Sequence, residues 1–384
     1  MGSDDVRRDI KQATDDYEAW LGRWMPLIGE DLDRKHAEMR TGAFAFLRAS
    51  FYRWTERWPV ICPDLATASK VLAVGDVHVE NFGTWRDVEG RLVWGVNDVD
   101  EAAALPYTSD LVRLATSAEL ADGIKVKLPG ICEAVLTGYA KTLNDADPQP
   151  FVLAERHGTL RKLATDRLKN PEKFWAKKLE PDDDEGPELV PVDQVPDGAD
   201  QLLAAALPGG NLDYRRYRRR AGLGSLGRPR FAALTTWRGG QVARDVKALA
   251  PSGWLWAHTT PEEAALAPIR SMELLTHPGR CPDPTVAVQG RWIVRRLAPD
   301  CSRVELGDLA DDDQDDEATR SQQAQLLTWM GQELAGLHRA SPYALATVRD
   351  HLAALTERAG DWLCDATEAM AAETRADFEA YRRS

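Results

Sequence analysis

The sequence predicts an α+β fold of two lobes, with a helical lobe split between the two ends of the chain and a small antiparallel β lobe in the middle. Three observations point there. Apolar residues recur at helical spacing before residue 60 and again after residue 320. Between about 212 and 309 the pattern turns to short strand-like runs broken by glycine turns. Residue types suited to chemistry gather in the first and middle segments, far apart in sequence, so a working site needs both. The expected parts are 1–210, 211–309 and 310–384.

The elements follow in order. Residues 4–58 read as helices, with Tyr17, Trp20, Leu21, Trp24 and Met25 on one stripe and Phe44, Leu47, Phe51 and Trp54 on another. Strands are expected at 71–75 and 92–96. Ser109 is placed as the N-cap of the helix DLVRLATSAELA. Helices are expected at 131–143 and about 151–168. Residues 180–210, acidic and rich in Pro and Gly apart from an apolar patch at 201–207, read as a linker. Strands at 230–237 and 242–249 flank a Gly239-Gly240 turn, and a second pair falls at 285–289 and 292–297. A helical stretch at 266–275 lies between them, and helices at 322–337 and 347–381 close the chain.

Composition narrows the class. A net charge of −13 argues against general nucleic-acid binding. Much of the excess sits in acidic runs at 180–188 and 311–317, read as solvated loops, whereas YRRYRRR at 214–220 is basic. That basic run suits either a phosphate-bearing ligand, an acidic loop or plain solvent. Five scattered cysteines with no CxxC indicate neither a zinc site nor a disulfide framework. No apolar stretch approaches membrane-spanning length, and Asp4, Asp5, Arg7 and Arg8 stand where a secretory leader needs an apolar core, so a cytoplasmic protein without membrane partners is expected.

The chemistry is concentrated in AVGDVHVENFG (73–83) and LVWGVNDVDEA (92–102). An acid, an amide five residues on, and carboxylates at the end of the next strand are the set used in phosphoryl transfer. One Asp meets the proton of the attacking hydroxyl, while the Asn and later Asp hold magnesium against nucleotide phosphates. Asp76 is therefore the candidate catalytic base, Asn81 and Asp98 candidate magnesium ligands, and Asp100 a second ligand or a loop-ordering group. His78 is expected to make a structural hydrogen bond. GLGSLG at 222–227 precedes a strand, not a helix, which excludes a dinucleotide-binding turn. Gly222, Gly224, Ser225 and Gly227 instead fit a loop that covers ATP phosphates, with Lys247, 20 residues beyond Gly227, on the following strand as the phosphate-pairing lysine. Glu273 is the expected carboxylate partner of Lys247, with Glu262 and Glu263 as alternatives, and a hinge reading adenine falls near 297–309.

The Asp-x-x-x-x-Asn spacing resembles the catalytic loop of protein kinases, and its GDxHxxN form resembles that of aminoglycoside and choline kinases. In those enzymes the glycine loop and lysine precede the catalytic loop; here they follow it by about 145 residues. MGQELAGLHRASP at 330–342 resembles the helix that small-molecule kinases place upstream of the catalytic loop. Joining the ends of the chain restores the usual order, so the resemblance implies a circularly permuted kinase-like fold using ATP and magnesium. Asp110 resembles the buried helix Asp that braces a kinase catalytic loop.

From about residue 39 onward the chain also resembles an uncharacterised bacterial family with GDxHxxNFG, NDFDE, WDLKRL-like, GVGSVG and QVKEA-like motifs. It departs at Val99 and at Tyr107-Thr108-Ser109. The expected activity is ATP-dependent transfer of the γ-phosphate to a hydroxyl or amine of a small molecule in preference to a protein. The rivals are an inactive nucleotide-binding regulator, an AMP transferase of the same fold, and a metal-dependent phosphoesterase. The last needs paired histidines beside further carboxylates, and the histidines here lack such neighbours.

Overall fold

The computed structural model describes residues 8–154, 157–179, 188–210, 212–309 and 316–384; the expected acidic loops at 180–187 and 311–315 lie outside them. Four helices open the described chain: Ile10–Leu21, Gly29–Met39, Ala43–Ala49 and Phe51–Ile61. The first starts where the Asp9 carboxylate accepts the Gln12 N–H, and it buries Tyr17, Trp20 and Leu21. Two small antiparallel sheets follow. β1 (Lys70–Ala73) pairs with β4 (Ala103–Pro106), and β2 (Phe82–Arg86) forms a hairpin with β3 (Leu92–Val96), whose other edge takes β5 (Phe151–Val152).

Helices Tyr107–Leu120, Leu128–Asn144 and Asp316–His338 build the centre of the helical lobe. The last two approach so closely that a Cβ at Gly138 would overlap the Thr328 carbonyl, and one at Gly331 the Val135 carbonyl. Glycine at both facing positions is what lets the C-terminal segment seat against the N-terminal one. Helices Leu345–Arg358 and Trp362–Arg383 complete the lobe. Near the two ends, Ile10 and Tyr381 share one apolar cluster with Met39 and Phe46, and Arg53 grips Asp377 at 2.7 and 3.0 Å.

The middle of the chain forms a six-stranded antiparallel sheet. Its strands are β6 (Glu188–Leu189), β7 (Arg215–Arg218), β8 (Arg230–Trp237), β9 (Gly240–Ala248), β10 (Ala287–Gln289) and β11 (Trp292–Leu297), in the order β10-β11-β9-β8-β7-β6. Side chains alternate across it. Phe231, Ala233, Val246 and Val294 point to one face, where Ala199, Leu202 and Leu203 of helix Asp197–Ala206 cover them. Asp245, Lys247 and Arg295 belong to the other face, which meets the helical lobe.

Several expectations need correction. The stretch read as a linker is folded over its described part, because the apolar patch is the inner stripe of helix Asp197–Ala206 and β6 extends the sheet. Ser109 is not a cap: Pro106 precedes the helix, and Ser109 lies buried inside it, accepting the Trp54 indole N–H at 3.2 Å. Phe151 is in a strand, since the free edge of β3 and the ring of Trp94 offer it a partner; the helix starts only at Gly158. The stretch at 266–275 is not one helix: helix Pro261–Leu266 ends at its first residue, Pro268 interrupts, and a second helix covers Ser271–Leu275; Gly360 falls in a break between the last two helices.

Candidate active site

The loop leaving β1 is held from beneath. Asp110, fully buried, accepts the main-chain N–H groups of Val74 at 2.8 Å and Gly75 at 3.0 Å. It also pairs at 3.1 Å with His338 Nε2, whose Nδ1 meets the Tyr139 hydroxyl at 2.8 Å. The Ser117 hydroxyl accepts from Val79 N at 3.0 Å. Gly75 has φ +81°, and a Cβ there would lie 2.6 Å from the Glu101 carbonyl, so the sharp exit needs glycine.

Asp76 is thereby set at the cleft. One oxygen, Oδ1, accepts a short hydrogen bond from Arg113 Nη2, which also donates to the Leu47 carbonyl at 2.9 Å. The Arg113 guanidinium is fully buried between the rings of Phe51 and Trp54, at 5.1 and 5.0 Å from their centroids. Burial pushes the Asp76 carboxyl up to about 7 against the pull of Arg113. The Asn81 amide donates to the Asp76 carbonyl at 2.7 Å, which leaves its oxygen for another partner.

Asp98 and Asp100 follow the end of β3. Arg295 anchors their loop, donating to the Asn97 carbonyl at 2.6 Å and lying 3.4 Å from Asp98 and 3.1 Å from Asp100. Lys247 Nζ is 3.3 Å from Asp98 and closer still to Asp100. The Asp98 side chain is 38% exposed and that of Asp100 only 8%, so Asp98 opens toward the cleft. Burial opposes the charge on Asp98, but Lys247 and Arg295 outweigh it and hold the carboxyl well below its usual range. Asp100 is pushed up by burial and by the charge of Asp98. Burial lowers Lys247.

Lys247 stands opposite Arg230 in the β8–β9 register, with Asp245 two residues before it on the same face. Asp245 takes Arg219 at 3.0 Å and Arg230 at 2.9 Å. These guanidinium groups outweigh burial and keep it ionised, well below the usual carboxylate range.

The glycine segment joins β7 to β8, two antiparallel neighbours. Gly222 and Gly227 have φ +80° and +91°. A Cβ at Gly224 would meet the Arg48 carbonyl at 2.8 Å and Asp76 Oδ2 at 3.3 Å, so the segment lies over Asp76 as only glycine allows. The Gly227 carbonyl accepts from Ile28 N at 2.9 Å. Arg228 then crosses to Glu101 at 2.9 Å, and Glu101 also accepts Gly253 N at 2.6 Å. Beneath the segment is a niche of about 60 Å³ lined by Asp76, Asn81, Asp98, Asp100, Gly224 and Ser225. Beside it lies a cavity of about 610 Å³; Asp98, Gly222 and Arg303 line both.

The segment after β11 runs along β2: Gly83 pairs with Arg303, Thr84 N donates to Ser302 O at 2.8 Å, and Val304 N to Phe82 O at 3.2 Å. In an antiparallel ladder the residue between two such bonds turns its own N–H and C=O away from the partner. At Arg303 those groups face away from β2.

The structure thus brings Asp76, Asn81, Asp98, Asp100, Lys247, Gly222, Gly224 and Ser225 together. It does not bring Glu273 there. Glu273 forms a half-exposed ion pair with Arg270 at 2.6 Å, while Glu262 and Glu263 are exposed, and the carboxylates on Lys247 are Asp98 and Asp100. Gly227 lies beside Leu32, outside the niche lining. His78 is buried and pushed well below its usual range by burial, and its Nδ1 accepts Glu80 N at 3.3 Å, a structural arrangement. Within YRRYRRR, Arg216 pairs with Asp200, and Arg218 and Arg220 pair with Asp31; Arg219 lines the large cavity. Sequence reasoning missed Arg113, Arg228, Glu101 and Arg295 as site residues. The first three had a signal, standing in or beside the quoted motifs; Arg295, in a plain strand, had none.

Among known proteins, no curated protein and no solved structure matches the chain. Residues 27–180 match the family described as an uncharacterised protein conserved in bacteria, DUF2252. The matched stretch holds Asp76, Asn81, Asp98, Asp100 and the bracing Asp110 and Arg113.

Proposed function

We propose that this protein is an ATP- and magnesium-dependent phosphotransferase with a kinase-like fold in circularly permuted order, moving the γ-phosphate to a hydroxyl or amine of a small-molecule acceptor. The observation that carries this reading is the meeting of Asp76, Asn81, Asp98 and Asp100 with the glycine segment in one niche, with Lys247 ion-paired to Asp98 and Asp100 behind its lining. They come from two parts of the chain more than a hundred residues apart. A glycine loop between antiparallel strands, followed by a lysine on the next strand, suits the gripping of phosphates from above. The packing of both chain ends in the helical lobe supports the permuted order.

The donor set suits magnesium. Asp98 is ionised and open to the cleft, the Asn81 oxygen is uncommitted, and Asp100 lies alongside. Magnesium is commonly held by one or two carboxylates together with the substrate's own phosphates. Bound there, magnesium supplies neutralisation of the phosphate oxygens. Lys247 exchanges its carboxylate partners for a phosphate. Arg113 holds Asp76 Oδ1, so Oδ2, under Gly224, is the oxygen that takes the acceptor's proton as the acceptor oxygen or nitrogen bonds to the γ-phosphorus and the bond from that phosphorus to the bridging oxygen breaks, releasing ADP. The turned-away N–H and C=O of Arg303 offer a donor and acceptor pair for a base edge.

Incubation with ATP labelled on the α- or γ-phosphate tests the reading. It predicts ADP and transfer of the γ-label alone. Transfer of the α-label would instead mean AMP transfer, binding without turnover would mean a regulator, and neither binding nor turnover removes the nucleotide reading.

A further inference from the structure

The large cavity carries two separate groups of charge. At the niche end, Arg295 and Asp98 line it, and with Lys247 and Asp100 just behind them the two cations are matched by two carboxylates. The other group lies against the segment after β11. There Lys169 is tied by its main-chain N–H to the Pro299 carbonyl at 3.1 Å, and its neighbours in charge are Arg219, Arg303, Cys301 and Glu305. Lys169, Arg219 and Arg303 all line the cavity.

The charges of this second group do not balance. Arg303 and Arg48 share Glu80, at 3.3 and 2.8 Å, and Arg303 has Glu305 at 3.6 Å, so two cations meet two anions. Arg219 and Arg230 share the single carboxylate Asp245. Lys169 has no carboxylate within ion-pair distance among the described residues, and burial and the charges of Arg219 and Arg303 hold it below its usual range. Among the described residues, Lys169 and one of the two guanidinium groups on Asp245 therefore have no carboxylate of their own, in a chain of net charge −13. Cations crowded at a cavity rim against the overall sign of the protein are costly to keep unless an anion fills the space. A phosphate monoester, with about two negative charges near neutral pH, matches the excess.

We propose that the part of the cavity bounded by Lys169, Arg219 and Arg303 is a second anion subsite. It takes a phosphate monoester additional to the triphosphate, carried either on the sugar of the nucleotide or on the acceptor. This rests on the nucleotide reading for the first site, and the test separates the two. Full-length wild type and Lys169→Ala are titrated calorimetrically with Mg-ATP, with Mg-ATP bearing a 3′-phosphate, and with inorganic phosphate, the last on both the free protein and the protein saturated with a non-hydrolysable Mg-ATP analogue. Lys169 is exposed, so its truncation leaves the fold intact.

A sugar-borne group predicts at least about tenfold tighter binding of the 3′-phosphorylated nucleotide than of ATP. An acceptor-borne group predicts that inorganic phosphate binds beside the analogue. Either gain disappears in Lys169→Ala, while Mg-ATP affinity stays within about twofold. The proposal is overturned if wild type shows neither gain, if the gain survives in Lys169→Ala, or if that variant loses Mg-ATP affinity itself. Should wild type bind no Mg-ATP, the nucleotide reading fails, and Lys169-dependent binding of inorganic phosphate to the free protein alone decides the subsite.

Discussion

At the scale of single residues, the site divides carboxylates by their surroundings. Asp98 is held ionised by Lys247 and Arg295, whereas burial lifts Asp76 toward neutrality against one guanidinium. In the proposed reaction these surroundings suit a metal ligand and a proton acceptor, respectively. Asp76→Asn should therefore leave Mg-ATP affinity nearly unchanged and abolish phosphate transfer; calorimetry and product analysis on the same sample check it, and equal loss of binding in Asp76→Asn and Asp98→Asn refutes the division of roles. Arg113 touches no solvent and reaches the reaction only through Asp76. Arg113→Lys keeps a cation but loses the fixed, planar Nη2 that donates to both the Leu47 carbonyl and Asp76. Turnover should fall by at least about tenfold, about 1.4 kcal/mol in the barrier, with KM for ATP unchanged. A matching rise in KM would show that Arg113 merely supports the fold of the nucleotide site.

At the scale of elements, two helices far apart in sequence are joined by glycine. Gly138→Ala or Gly331→Ala forces helices Leu128–Asn144 and Asp316–His338 apart, and overpacking of this kind costs about 1–3 kcal/mol. Thermal or denaturant unfolding should show the loss, and a variant as stable as wild type would mean that the helices slide freely. Regular periodicity made most elements legible: strands at 92–96, 230–237 and 292–297 are as expected, and the first helices fall on their apolar stripes. Failures came where tertiary partners decide. Helix Asp197–Ala206 sits in a Pro- and Gly-rich stretch and gains its reason only from the sheet face it covers. Phe151 joins a strand because β3 has a free edge, which nothing local to 151–168 reveals. The site was legible where motifs carry it, at Asp76, Asn81, Asp98 and Lys247. The partner of Lys247 was not, because pairing across two lobes leaves no trace in spacing, and Glu273 was instead neutralised by Arg270 three residues away.

At the scale of the whole molecule, the first and last described helices meet while the middle supplies the sheet. Ile10 and Tyr381 pack in one cluster, and opening the chain within 180–187 interrupts no described element. A rearranged chain, opened there and with Ser384 joined to the N-terminal segment by a short flexible bridge, is therefore expected to fold and bind Mg-ATP, since ends close in space tolerate rejoining. An insoluble product would count against the packing of the ends.

The central claim is that residues from the two lobes form one Mg-ATP site, with Asp98 beneath the phosphates and Lys247 above. The most direct measurement is calorimetric titration of Mg-ATP into wild type, Asp98→Asn and Lys247→Met under one set of conditions. Wild type should bind a single nucleotide, and each variant should lose at least about tenfold in affinity, with thermal stability little changed. Equal affinity in all three proteins, or no binding to wild type, would contradict the account.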